Sequence, residues 1–246
     1  MTRREKSIKS LVLALCCSSA VLSCSNDFQA RGHPQWAVSF RWSAEQNVNL
    51  DSVDAQIVRA AIESNTIAEF LNPEYGYPGW RDNREAMGLE ARIEHAEYEG
   101  VGTAYLHIVP YQSPVSRVMI VCKDMTETSK KIGNDYVLPN FNNRKEALEV
   151  IAVDVVGESR RDSSRVEPVK LPNSPDIPGP EGRSPRPSKN VFSRHALVRY
   201  QGDLDNYRDL CLPWAQARWG GDQPPAPGRT AHEPPTIEPF MPGWPE

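Results

Sequence analysis

The chain holds five histidines, the side chains best suited to exchange protons near neutral pH: His33, His95, His107, His195 and His232. None of them forms the HxxxH or HExxH spacing that places zinc ligands on one helix face, so no metal site and no cofactor are predicted. His107 and His195 fall on two predicted strands that can be neighbours, where they can contact a ligand together with Asp154. The alternative is that these histidines are ordinary core or surface side chains with satisfied hydrogen bonds. Their scattered spacing favours this alternative.

A second group suited to chemistry is a cluster of three aromatic rings in one turn, at Tyr75, Tyr77 and Trp80. Pro78 and Gly79, which lie between them, suit the inner positions of a type II turn. Such rings stack on sugars or hold a peptide, because each combines an apolar face with a polar edge. The three rings are therefore candidate ligand contacts. The alternative, which such Pro-Gly turns favour, is a plug at the end of a small core.

The remaining motifs and the charge balance exclude several functions. The sequence has neither a G-x-S-x-G nucleophile elbow nor a glycine-rich phosphate loop, so no catalytic residue is predicted. Beyond residue 23 the chain carries 24 basic and 31 acidic residues, a net charge of −7 with histidine neutral. Nucleic-acid binding needs clustered Lys and Arg, so no nucleic-acid partner is predicted.

The first 23 residues have the layout of an export signal, in which four basic residues precede an apolar run at 11–22. That run is too short for a membrane-spanning helix, which needs roughly 20 apolar residues. Residues 21–24 read Val-Leu-Ser-Cys and resemble the bacterial lipobox. The resemblance implies cleavage before Cys24, acylation of its thiol and a lipid-anchored protein on the extracytoplasmic face of the cell membrane. The alternative is plain secretion after cleavage at Ala20.

The cysteines fit an oxidising compartment. Cys16 and Cys17 leave with the signal segment, and Cys24 is the predicted lipidation site. Cys122 and Cys211 remain, and two cysteines in an oxidising compartment usually pair. A bridge between them closes a long loop and would stabilise the fold by about 4 kcal/mol in the chain-entropy model. Two unpaired thiols are the alternative.

Proline density sets the predicted organisation of the chain. Nine of the 22 prolines lie in residues 213–246 and seven lie in residues 168–187. Such dense proline opposes regular structure. The prediction is therefore a signal peptide (1–23), a tether and lead-in (24–50), a single domain (51–219) with a proline-rich excursion (about 157–189), and a disordered proline-rich tail (220–246).

Hydrophobic spacing predicts an α+β domain, with an N-terminal helix or helices packed on a curved, mainly antiparallel four-stranded sheet. Both faces of the predicted strands are largely apolar, which requires cover on both sides or a strongly curved sheet. The predicted helices are 52–71, a weaker one at 84–98, and a short one within 203–219 that is broken at Pro213. The predicted strands are 103–109, 115–123, 147–156 and 191–200, and the first two form a hairpin.

The opening helix, the Tyr75-Gly-Tyr-Pro-Gly-Trp80 turn and the later long strands resemble nuclear transport factor 2-like domains, which wrap a curved sheet around a helix. The local sequence of the turn is similar to that of uncharacterised actinobacterial exported proteins and lipoproteins, in which such a turn follows a helix. The resemblance spans roughly residues 50–215 and implies a pocket at the open end of the cone. That superfamily contains both enzymes and non-catalytic partners, so it implies a fold and not a function.

Together these features predict a cell-envelope lipoprotein with a non-catalytic binding or structural role at the cell surface. Its expected partners are the membrane, through the lipid anchor, and an envelope component, a small apolar ligand or a protein. The alternative is a secreted or envelope enzyme with a small-molecule pocket in a curved sheet. An enzyme should have a deep pocket where polar groups converge, whereas a binding protein should have an open groove or an apolar patch.

Overall fold

The computed structural model describes nine stretches of the chain: residues 36–85, 99–111, 118–138, 147–156, 170–171, 174–192, 197–202, 204–225 and 230–246. The predicted signal peptide, Cys24, His195 and most of the weaker helix predicted at 84–98 lie outside these stretches. No helix within them is both long and apolar enough to cross a membrane.

The first helix, α1 (Val53–Phe70), begins and ends where the sequence predicts. The Ser52 side chain caps it by accepting a hydrogen bond from the Ala55 backbone N–H at 3.3 Å. Asn72 and Pro73 follow its end, where proline disfavours further helix. Thirteen of its 18 residues are buried, which is far more than one amphipathic stripe, so other elements must enclose α1 on several sides.

The main sheet has nine strands, so the prediction of four was wrong. The four predicted strands correspond to its centre, and the added strands are either polar, very short or drawn from the predicted lead-in. The main sheet consists of β1 (Trp36–Ala44), β2 (Arg84–Glu85), β3 (Glu99–Pro110), β4 (Val118–Asp124), β5 (Thr128–Ile132), β6 (Asp135–Val137), β7 (Leu148–Val156), β9 (Leu197–Gly202) and β10 (Thr230–Ala231); β8 (Arg183–Ser184) and β11 (Trp244–Pro245) form a separate ribbon.

Strand β3 organises the sheet. One of its edges pairs with β1 in parallel, and the other pairs with β4 and β5 in turn, with Tyr105 opposite Asp124 and Gly102 opposite Thr128. From there β4 leads to β7 and β9, while β5 leads to β6 and β10. All pairs except β1–β3 and β2–β9 are antiparallel. The predicted α+β class, hairpin and mainly antiparallel pairing are confirmed, in a sheet that curls into a half-barrel.

A helix covers each face of the central strands, which explains why both faces are apolar. The buried side chains on the α1 side include Leu106, Val121 and Ile151. Those on the opposite side form a smaller cluster under α3 (Asp205–Trp219), the helix that follows the short helix α2 (Trp80–Asn83) along the chain. The predicted break at Pro213 is absent, and α3 runs through it. A proline removes one helix hydrogen bond, a loss that the packing of α3 on the sheet can offset.

The C-terminal residues 230–246 pack on the fold, although their proline content predicts disorder. Phe240 and Trp244 are buried, and the Met241 backbone hydrogen-bonds to Phe40 and Trp42 at 3.2 and 2.7 Å. Residues 174–192, which we call the proline segment, pack in the same way. Dense proline disfavours long helices and ladders, but an extended chain can still insert the apolar side chains that lie between its prolines.

Candidate functional site

The predicted bridge between Cys122 and Cys211 is present, with an S–S distance of 1.95 Å and Cα atoms 5.5 Å apart. Cys122 lies on β4 and Cys211 lies on α3, and both are fully buried. The bridge therefore fastens the helix on the second face of the sheet to a central strand. Because solvent does not reach either sulfur, the bond serves the fold.

The aromatic turn forms as the sequence predicts, but its rings point into the core. The Trp80 backbone N–H donates to the Tyr77 carbonyl at 3.0 Å, and Gly79 has the positive φ of 82° that a type II turn requires. Trp80 is fully buried and its Nε1 donates to the Tyr200 hydroxyl at 2.7 Å. Tyr77 is also buried, and Tyr75 packs half-buried against the same core. This placement matches the core-plug alternative.

Tyr77 belongs to a buried polar network around Glu63, which sequence reasoning missed. Glu63 lies on α1, is 1% exposed, and accepts hydrogen bonds from three donors. The Trp42 indole donates at 2.7 Å, the Trp244 indole donates at 3.2 Å, and the Tyr77 hydroxyl donates to the same carboxylate. Burial raises the pKa of Glu63, an effect that Arg59 and these donors oppose.

Arg59 lies one helix turn before Glu63 and links it to the C-terminal residues. Its guanidinium donates to the Gly243 carbonyl at 2.7 Å and stands 4.3 Å from the centre of the Trp244 ring. It also donates to the Leu50 carbonyl at 3.3 Å. A cation and a carboxylate on α1 thus hold residues 243–244 against the helix.

A second buried ionic cluster lies around Lys123. Its ammonium contacts the Glu69 carboxylate at 2.8 Å and the Glu149 carboxylate at 3.0 Å. Burial disfavours the charge on Lys123, but Glu149 and Glu69 outweigh that effect and hold its pKa above the ordinary value. Through these ion pairs the cluster joins α1, β4 and β7, and the raised pKa favours the protonated form of Lys123.

His107 lies in a partly exposed cluster that the sequence did not reveal. Its Nδ1 is 2.8 Å from the Ser43 hydroxyl, and its Nε2 is 3.5 Å from the Glu45 carboxylate. The Trp214 ring stacks on the imidazole at 5.4 Å, and the indole N–H donates to Ser43 at 3.1 Å. Burial lowers the pKa of His107, although Glu45 opposes this. With its hydrogen on Nε2, the neutral ring accepts from Ser43 and faces Glu45.

Asp154 does not share a site with His107. His107 is level with Cys122 and Val150 across the strands, whereas Asp154 lies four residues further along β7, opposite Val118. Four residues separate positions on a strand by roughly 13 Å. His195 lies outside the described residues, so its predicted proximity to His107 stays a prediction.

Two grooves flank the proline segment. The larger has a volume of about 460 Å³, and we call it the Trp36 groove because Trp36 lies in its wall. Its apolar wall includes Val38, Leu171, Ile177 and Phe240. The smaller groove, of about 310 Å³, is lined by Val53, Gln56, residues 187–191 and residues 244–246. Both volumes fall in the range of roughly 300–1,000 Å³ that small-molecule sites occupy.

No group of three or more His, Cys, Asp or Glu side chains within the described stretches is placed to hold a metal ion. The described features that bear on function are thus the disulfide, the His107 cluster and the two grooves. The likeness to nuclear transport factor 2-like domains stays a prediction. No family model, curated protein or solved structure matches the chain.

Proposed function

We propose that the mature chain is an extracytoplasmic protein, tethered to the cell membrane by acyl chains on Cys24, that binds a ligand without transforming it. The observation that carries the proposal is the buried Cys122–Cys211 disulfide. Such bonds persist in oxidising compartments and are rare where thiols are kept reduced. The bridge and the signal-like first 23 residues independently support a location outside the cytoplasm.

The interior charges support a binding role. Glu63 accepts three hydrogen bonds and Lys123 lies between two carboxylates, so each of these groups is engaged in holding elements of the fold together. The grooves beside the proline segment are, in contrast, open and largely apolar. We therefore place ligand binding in the larger one, the Trp36 groove.

The lipid anchor has a direct test. The protein from the membrane fraction should have the intact mass of a chain that begins at acylated Cys24, and reduction should add about two hydrogens for one bridge. The matched variant Cys24→Ala should accumulate in the soluble fraction, because it has no acyl chains. A soluble wild-type chain that begins near Val21 would overturn the anchor and leave plain secretion.

A second candidate function, ester or amide hydrolysis, is favoured by one observation. The 2.8 Å contact between Ser43 and a neutral His107, with Glu45 on the other ring nitrogen, has the order of a nucleophile, a base and an orienting acid. Ser43 is exposed, so a substrate can reach it. In this function His107 would take the Ser43 hydroxyl proton as the oxygen attacks the acyl carbon, and would return that proton to the departing alcohol or amine as its bond to the acyl carbon breaks. Water would then release the acyl group from Ser43 as the acid.

A fluorophosphonate probe separates the two functions. We expect no adduct at Ser43, because its oxygen already accepts the Trp214 indole hydrogen bond and is committed to the packing of α3. Intact mass spectrometry after incubation with the probe is the measurement. An adduct on wild type that disappears in both Ser43→Ala and His107→Gln would instead establish hydrolysis.

A further inference from the structure

Ile132 is the most exposed of the large apolar side chains in the described stretches, at 59% exposure. It ends β5 and pairs with Asp135, so Gly133 and Asn134 form a two-residue hairpin turn between β5 and β6. Apart from its two chain neighbours, no described residue would lie within 4 Å of a Cβ placed on Gly133. The tip of this hairpin therefore projects from the fold and carries an isoleucine into the solvent.

The register of the sheet places this tip at the end where the chain enters the domain. Strand β1 begins at Trp36 and runs parallel with β3, with Trp36 opposite Gly100. Strand β5 runs antiparallel to β3, with Gly100 opposite Lys130, two residues before Ile132. Two strand spacings across the sheet and two residues along β5 put the Cα atoms of Trp36 and Ile132 about 12 Å apart.

The predicted anchor is joined to this same end of the sheet. Cys24 and Trp36 are 12 positions apart, and a chain spans at most about 3.5 Å per residue, so acylated Cys24 lies within about 42 Å of Trp36. Two contacts joined by so short a segment have an effective concentration in roughly the millimolar range. A contact with the bilayer that is weak in free solution is therefore populated in the anchored chain.

The side chains around the tip suit the boundary between water and lipid. Tyr136, which is partly exposed, lies opposite Lys131, and tyrosine and lysine both place an apolar body in lipid and a polar end in water. The Lys131 ammonium is 3.6 Å from the Glu99 carboxylate. The formal charges nearest the tip in the register cancel, and they belong to Lys130, Lys131, Glu99 and Asp135. Contact with lipid at this tip therefore depends on apolar surface.

We propose that the tip of the β5–β6 hairpin rests in the membrane to which the chain is anchored, with the Ile132 side chain inserted at the boundary between headgroups and acyl chains. The partner is the lipid bilayer, and headgroup charge is not needed. This inference rests on the proposed anchor and adds a second membrane contact to it. The two contacts together keep the Trp36 end of β1 toward the bilayer and the Pro110 end of β3 away from it.

The test supplies a tether that does not depend on acylation in the cell. The full mature chain with Cys24→Ala carries an N-terminal oligohistidine tag and is attached to phosphatidylcholine vesicles through nickel-chelating lipid. A polarity-sensitive dye is coupled to the thiol of Ile132→Cys, and the fully buried Cys122–Cys211 bridge leaves no other thiol to react. The matched control is Leu210→Cys on α3, where the native leucine is 44% exposed.

Attachment to the vesicles should raise the dye emission at position 132 at least about twofold and leave that at position 210 unchanged, because only the hairpin tip enters an apolar environment. An equal response at both positions, or no response at position 132, would overturn the membrane contact. The anchor would still stand on its own mass test, so the two failures are distinguishable.

Unlabelled variants exclude an effect of the dye itself. Ile132→Ser should leave the vesicles at an imidazole concentration at least about twofold lower than the unaltered tagged chain, because one of its two contacts is lost. Leu210→Ser should leave with the unaltered chain. Both changes are at exposed positions, so both variants should keep the fold. Release of Ile132→Ser together with the unaltered chain would contradict the proposal.

Discussion

Removing the disulfide with Cys122→Ala and Cys211→Ala together lowers the free energy of unfolding by about 4 kcal/mol. The two cysteines are 89 positions apart, so the bridge restricts a large loop of the unfolded chain. Without it, α3 still contacts the sheet through its small apolar cluster, through the stack of Trp214 on His107 and through the hydrogen bond from Arg208 to the Leu148 carbonyl, but no covalent bond joins the two. Urea unfolding of the variant and the wild type at one pH gives the difference.

Reduction supplies the control for this experiment. Dithiothreitol should move the wild-type midpoint to that of the double variant and should leave the variant unchanged. A double variant that unfolds at the wild-type urea concentration would show that the bridge adds nothing to stability.

The variant Glu63→Ala loses about 3 kcal/mol of stability near pH 5, because the change leaves buried donors and Arg59 without their acceptor. Trp42, Tyr77 and Trp244 all donate to this carboxylate, and none of the three side chains is exposed enough for water to replace it. The measurement is urea unfolding followed by tryptophan fluorescence. The control is Glu181→Ala, which removes an exposed carboxylate and should change stability by less than about 0.5 kcal/mol.

The same variant has a pH dependence of known sign. Burial raises the pKa of Glu63 above 4.5, so the folded chain binds that proton more tightly than the unfolded chain. Stability from this group is full below the unfolded pKa and falls as the pH rises through the folded pKa. The gap between wild type and Glu63→Ala should therefore be wider at about pH 5 than at about pH 8. A gap that widens with pH would contradict the raised pKa.

The helix and the central strands could be predicted because their signals are local. For α1 the signals are the Ser52 cap, apolar residues at helical spacing and the Asn72–Pro73 stop. The bridge between Cys122 and Cys211 followed from counting cysteines. Strand β1 was missed for two reasons. Both of its faces are buried, so its sequence shows no alternation of apolar and polar residues. Its partner β3 pairs with it in parallel about 64 positions later, so no hairpin turn marks the pair.

The rest depended on contacts between distant parts of the chain. The β5–β6 hairpin is marked by Gly133 and Asn134, but its strands are polar and resembled a loop. The Ser43–His107 contact joins residues 64 positions apart, and the Glu63–Trp244 contact joins residues 181 apart. Rules based on residue spacing within one helix or strand cannot predict contacts across such sequence separations. Proline density correctly excluded helices from residues 230–246 but could not reveal that Phe240 and Trp244 would find buried positions.

The placement of residues 240–244 has a consequence for the order in which the chain can mature. These residues complete the enclosure of β1 and α1, from which they are separated by about 200 positions, as in the bridge between Arg41 and Met241. In the proposed export, the N-terminal part of the chain emerges first. Glu63 and Arg59 then stay hydrated until residues 240–244 arrive to cover them. The core around β1 and α1 can fold completely only after nearly all of this sequence has crossed the membrane. The chain therefore stays incompletely folded during translocation, and its folding is completed on the far side of the membrane.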